Sequence, residues 1–136
     1  MTPSPDPDQG EIALPSGTSA AVLPLVRAPL TTLQHRADFL RAASARRQGA
    51  GSFMLQARAR GDDLGPRVGY TASKKIGNAV ARNRAKRRLR AAVRELRLLA
   101  QPGWDYVLVA RPQATIARPF ADLVADLRRA LLAIHP

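Results

Sequence analysis

Between Lys74 and Leu96 the chain reads KKIGNAVARNRAKRRLRAAVREL, nine Lys or Arg against a single acid, Glu95. Bases spread evenly around an element of that charge density would leave it no surface to bury. Here they are sorted. Ala85, Leu89, Ala92, Val93, Leu96 and Leu99 recur at intervals of three or four, the period of one helical face. Asn83, Arg87, Arg90 and Arg94 recur at the same interval on the opposite side, flanked by Arg84, Lys86 and Arg97. The stretch therefore predicts a two-faced helix that packs on a sheet through small apolar side chains and shows arginine outward. Asn78 is placed to be its N-cap, accepting an early backbone N–H.

An ordinary solvated helix face mixes charge signs, because like charges four residues apart repel. This face has only Glu95 to offset its bases, so something anionic must reward it. A helix lying on a membrane needs Trp, Phe or Leu bulk on its apolar side, and here that side is mostly alanine, leucine and valine. Nucleic acid is the remaining polyanion: arginine forks match phosphate, and the helix N-terminus beside Lys74 and Lys75 adds its dipole. A dimeric basic-region DNA reader would run on into heptads, but after Leu99 comes QPGW. Periodicity and charge alone do not separate RNA from other DNA-binding modes.

The remaining composition agrees. A chain of 136 residues suits one domain with a tail, and its net charge is +12. Residues 1–30 hold six of the eleven prolines, three acids and one base, Arg27. They read as a disordered, acidic, Pro-rich arm, either a passive extension or a self-masking tail. The rest, 31–136, carries 21 bases against 7 acids. Cysteine is absent, which removes disulfides and thiolate metal sites and suits a reducing cytoplasm. No window approaches the roughly 18 apolar residues of a membrane span, and acids precede any base at the N-terminus, unlike a secretory signal.

Along the domain, QHRADFLRAASARRQGAG predicts a first helix, with Phe39, Leu40 and Ala43 as its apolar patch and Gly49 and Gly51 as its stop. SFMLQARAR alternates, placing Phe53, Leu55, Ala57 and Ala59 on one face and Met54, Gln56, Arg58 and Arg60 on the other. GDDLGP is a turn. RVGYTAS is a second strand, and DYVLVAR, nearly all apolar, a central one. ARPFADLVADLRRALLAI predicts a closing helix with Pro119 in its first turn and Phe120, Leu123, Val124, Leu127, Leu131 and Ile134 as its buried stripe. Strands separated by helices give an α+β sandwich.

Catalytic equipment is sparse. His35 and His135 read as isolated surface residues. Asp62 and Asp63 read as turn residues, and Asp122 and Asp126 as solvent-facing positions opposite Leu123 and Leu127. No cluster has metal-ligand spacing, and KKIGNAVARN, with one glycine, is no P-loop.

The stretch RVGYTASKKIGNAVARNRAKRRLRAAVRE, with Arg82-Asn83-Arg84 at its centre, resembles the signature of the bacterial ribonuclease P protein subunit. LQHRADFLRA, GSFMLQARAR and DYVLVARP fall around it in the matching order, so the resemblance runs from Leu33 to Ile134. It implies an α+β fold in the order αβββαβα, about four strands with three helices and a left-handed crossover around the arginine-rich helix. It also implies a subunit of an endoribonuclease that removes the 5′ leader of precursor tRNA, with an RNA subunit and its Mg²⁺ carrying the chemistry and no cofactor on the protein itself. The implied partners are that RNA and precursor tRNA, with no membrane and no DNA. Contacts to the RNA subunit would fall on Arg84, Lys86, Arg87, Arg88, Arg90 and Arg94, while Lys75, Arg82 and Asn83 lie nearer the helix start beside the leader path, and Lys74 counts with them among the RNA-binding residues. The leader cleft would lie between the first helix and the sheet, with Phe39, Gln56, Arg58 and Thr71 as candidates. Ala43 and Gln56 stand where the family often has aromatics, which shifts the expected grip from base stacking to charge and hydrogen bonds. For Phe39, packing against Leu40 competes with that role. Composition alone leaves a structural RNA binder, such as a ribosomal protein, as the other reading.

Overall fold

A computed structural model of the chain describes residues 30–136. In chain order the elements are β1 (Thr31–Thr32), α1 (Arg36–Ala43), β2 (Arg46–Gly49), β3 (Phe53–Ala59), β4 (Arg67–Thr71), α2 (Ala79–Glu95), β5 (Trp104–Ala110), α3 (Ala114–Ala117) and α4 (Phe120–Ile134). Short 3₁₀ turns at Lys74–Ile76 and Arg97–Leu99 bracket α2. Without the two-residue β1 and the one-turn α3, the order is the expected αβββαβα. The expected arm lies outside the described residues except for Leu30, which packs half-buried against the core.

The five strands form one sheet in the order β1-β4-β5-β3-β2. The apolar run DYVLVAR is central because β5 pairs antiparallel with β3 and parallel with β4, and both of its faces are covered. On one face Tyr106 and Leu108 join Phe53, Leu55 and Ala57 of β3 and Val68 of β4 beneath α2 and α4. On the other, Val107 joins Leu33 and Ala42, with Phe39 and Val109 packed alongside, beneath α1. The period-two pattern of β3 thus feeds two different layers.

Four expectations change. The first helix stops at Ala43, not at the glycines: the Ser44 hydroxyl donates to the carbonyls of Leu40 (3.3 Å) and Arg41 (3.1 Å). Arg46–Gly49 then becomes an edge strand paired antiparallel with β3 from Ala57 to Met54. Pro119 stands just before α4 as its N-cap, outside the first turn. Phe120 leaves the expected stripe because that first turn overhangs the core, with Ala121 and Asp122 exposed as well.

The other two corrections concern polar groups. Asp126 does not face solvent. It falls three residues after Leu123 and four before Ala130, on the buried side of α4, and is 1% exposed. Ser52 Oγ (2.6 Å), Arg118 Nε (3.0 Å) and Nη2 (3.1 Å), and Arg129 all donate to it. His135 is half-buried. It shares a 2.6 Å hydrogen bond with the Tyr106 hydroxyl and meets the Trp104 ring edge-on at 4.6 Å.

Candidate nucleic-acid interface

The start of α2 is built by three local devices. Ser73 Oγ accepts from the Lys75 amide at 3.3 Å, which closes the 3₁₀ turn carrying Lys74 and Lys75, both exposed. Gly77 turns the chain at φ +139°, a conformation L side chains rarely adopt. Asn78 Oδ1 then accepts from the Ala81 amide at 2.9 Å as the expected N-cap. Arg82 is half-buried and returns a hydrogen bond of 2.8 Å to the Gly77 carbonyl, bracing this entry.

Beyond it the helix divides as its periodicity requires. Ala85, Leu89, Ala92 and Val93 are buried, while Asn83, Arg84, Arg87, Arg90 and Arg94 are exposed and Lys86 is half-buried. The Arg90 guanidinium lies over the Tyr70 ring, 5.1 Å from its centroid, an arrangement that holds the side chain on the surface at little cost in desolvation. Burial pushes the Tyr70 hydroxyl up to about 12, against the opposing pull of Arg90 and Arg94, so it remains protonated.

Arg88 differs from its neighbours. It is half-buried, its Nε donates to the Thr115 carbonyl at 3.0 Å, and its Nη2 donates to the carbonyl of Arg118. Those bonds fasten α3 and the entry to α4 onto the basic helix, so Arg88 braces the domain more than it faces outward.

The sheet face beneath α1 gathers the other set of sequence-selected residues. Strand register sets them in rows across β3, β5 and β4: Met54–Val109–Thr71, then Gln56–Val107–Gly69, then Arg58–Asp105–Arg67. Gln56, Arg58 and Thr71 therefore share one face, each half-buried. Phe39, on α1, packs against the same face over Gly69, so its ring serves the α1–sheet core while edging the groove.

Sequence reading missed the centre of the lowest row. Asp105 is fully buried among Arg58, Arg60 and Arg67. Burial pushes its carboxyl up, but hydrogen bonds from Arg67 and Arg60 more than reverse that and hold it below the usual carboxylate range. The signal available was a lone acid opening an otherwise apolar strand, a position that demands a cationic partner. Arg67 also reaches Asp38 of α1 at 3.4 Å, tying that helix to the sheet. Among the described residues no group of three or more His, Asp or Glu side chains is placed to hold a metal ion, and no helix is long and apolar enough to cross a membrane.

A small α+β domain that buries one side of a helix on its sheet and presents the other as exposed arginine has the build expected of a polyanion-binding domain. The chain belongs more narrowly to the ribonuclease P protein family, whose model matches residues 29–135, and so to the protein components of an endoribonuclease. It is 62% identical over 109 residues to the ribonuclease P protein component of Ruegeria pomeroyi, covering 78% of this chain and 87% of that one. The protein component of Paramagnetospirillum magneticum is 48% identical over 110 residues, covering 76% and 82%. Among solved structures, the RNase P protein of Staphylococcus aureus superposes with a TM-score of 0.63 at 25% identity, over 76% of this chain and 94% of that one. The RNase P protein of Thermotoga maritima does so at 0.64 and 27%, over 74% and 94%.

Proposed function

We propose that this protein binds a ribonuclease P RNA subunit through the outer face of α2 and receives the 5′ leader of precursor tRNA in the groove between α1 and the sheet, promoting endonucleolytic removal of the leader. The observation that carries the reading is the division of α2 into a buried alanine–leucine side and an exposed side of Asn83, Arg84, Arg87, Arg90 and Arg94. Five such positions along one helix can track successive phosphates. Lys74 and Lys75, where α2 begins, extend the same positive surface toward the Thr71 end of the groove. Gln56 and Thr71 offer hydrogen bonds to the leader, and Arg58 offers charge. The chemical step belongs to the RNA subunit, whose Mg²⁺ supplies the charge stabilisation; this chain's residues bind, orient and screen phosphate repulsion between two RNAs. The holoenzyme so formed works in the cytoplasm.

The reading is tested by titrating a ribonuclease P RNA transcript against the wild type and the Arg87→Ala/Arg90→Ala variant. The expected result is a loss of RNA affinity at unchanged thermal unfolding. Equal affinity for an unrelated structured RNA of the same length would support a general RNA binder instead.

A further inference from the structure

The three arginines around Asp105 are not equivalent. Arg60 engages all three of its nitrogens, on Asp62, on Asp105 and on the carbonyls of Trp104, Leu64 and Gly65. Arg67 engages all of its own, Nε and Nη2 on Asp105 at 2.8 Å each and Nη1 on Asp38. These two hold the β3–β4 turn and α1, and with Arg41 on Asp38 they match the charges of Asp38, Asp62 and Asp105 one for one. Arg58 touches Asp105 through Nη1 alone, at 3.3 Å. Its Nε and Nη2 have no partner among the described residues, and its side chain is 27% exposed on the face that holds Gln56 and Thr71.

We propose that Asp105 is a positioning residue for leader binding: acting through Arg58, it holds one corner of that guanidinium so that the remaining N–H groups face a leader phosphate. The proposal rests on the groove reading above. A guanidinium fixed at one corner loses less side-chain freedom on meeting a phosphate and presents its planar fork in one orientation. Because Arg41, Arg60 and Arg67 already offset the carboxylates of Asp38, Asp62 and Asp105, the tether leaves Arg58 its positive charge. Asp105 itself touches no RNA.

The test uses the full chain with the RNA subunit and compares affinity for precursor tRNA with affinity for mature tRNA lacking the leader. Arg58→Gln and Asp105→Asn are each expected to lower that ratio about tenfold, the worth of one hydrogen bond to a charged group. The double variant is expected to be no worse than Arg58→Gln alone. Arg58→Lys, which keeps the charge without the fork, is expected to lose most of the ratio, and it remains readable even if Asp105→Asn does not fold. A wild-type ratio in Asp105→Asn or Arg58→Lys overturns the proposal, as do losses that multiply in the double variant. A wild-type holoenzyme with no leader preference overturns the groove reading itself, and this proposal with it.

Discussion

Phe39 lies so close over Gly69 that a Cβ added to the glycine would stand 2.5 Å from the ring's Cε1. No real Cβ tolerates that approach, so the absence of a side chain at position 69 sets how near α1 comes to the sheet, and with it the depth of the groove. The backbone at Gly69 has no special conformation; the constraint is space alone. Gly69→Ala is expected to destabilise the domain by about 1–3 kcal/mol through overpacking. In a Phe39→Ala background the same glycine substitution should cost less in denaturant unfolding than it does in the wild type, since the atoms in conflict are gone.

The two sides of α2 should respond oppositely to substitution. Leu89 is fully buried between the sheet and α4, and Leu89→Ala is expected to cost about 3 kcal/mol of unfolding free energy. Leu89→Asp should abolish folding by burying an unpaired charge. Arg87→Ala, on the exposed side, should leave unfolding unchanged. Circular dichroism melts of the three variants decide the assignment of faces.

These faces were legible in the sequence because the helical period sorts charge from apolar bulk within a single segment. The alternation of β3 and the apolar run of β5 were legible for the same reason. Arg46–Gly49 was not: RRQG has neither alternation nor apolar content, and it is a strand only because β3 offers it an edge. The environments of Asp126 and His135 were equally hidden. Their partners Ser52 and Tyr106 lie 74 and 29 residues away, and a single buried acid on an amphipathic helix looks like its solvated neighbours until the fold brings the cations in. The candidate site was legible as a set of residues. The grouping of Gln56, Arg58 and Thr71 in adjacent rows, and Asp105 between two arginines, required strand register.

Stability should depend on pH in two separate windows. Burial pushes the Asp126 carboxyl up, but hydrogen bonds from Arg118, Ser52 and Arg129 more than reverse this and hold it below its ordinary value. Its contribution is therefore fully present above about pH 4 and is lost as pH falls through the lowered folded-state value. His135 behaves differently. Burial, aided by Arg46, lowers its pKa from 6.5, so the unfolded chain takes up the proton first and stability declines as pH falls below about 6.5. Denaturant titrations from pH 8 to pH 3 should show both declines, and His135→Gln should remove only the upper one.

Binding to the RNA subunit should weaken steeply with salt. If about six phosphates are neutralised by the arginine face, log K falls against log[salt] with a slope of about −4 to −5. The Arg87→Ala/Arg90→Ala variant should lower that slope by about 1.5. A slope near zero in the wild type would contradict an electrostatic interface.

The most direct measurement is leader removal from precursor tRNA by a ribonuclease P RNA transcript at low Mg²⁺, with and without this protein. Screening of RNA–RNA repulsion by the α2 face predicts cleavage at the same site, strongly stimulated by the wild type and less by the Arg87→Ala/Arg90→Ala variant. Cleavage unchanged by a folded, RNA-binding protein would contradict the account.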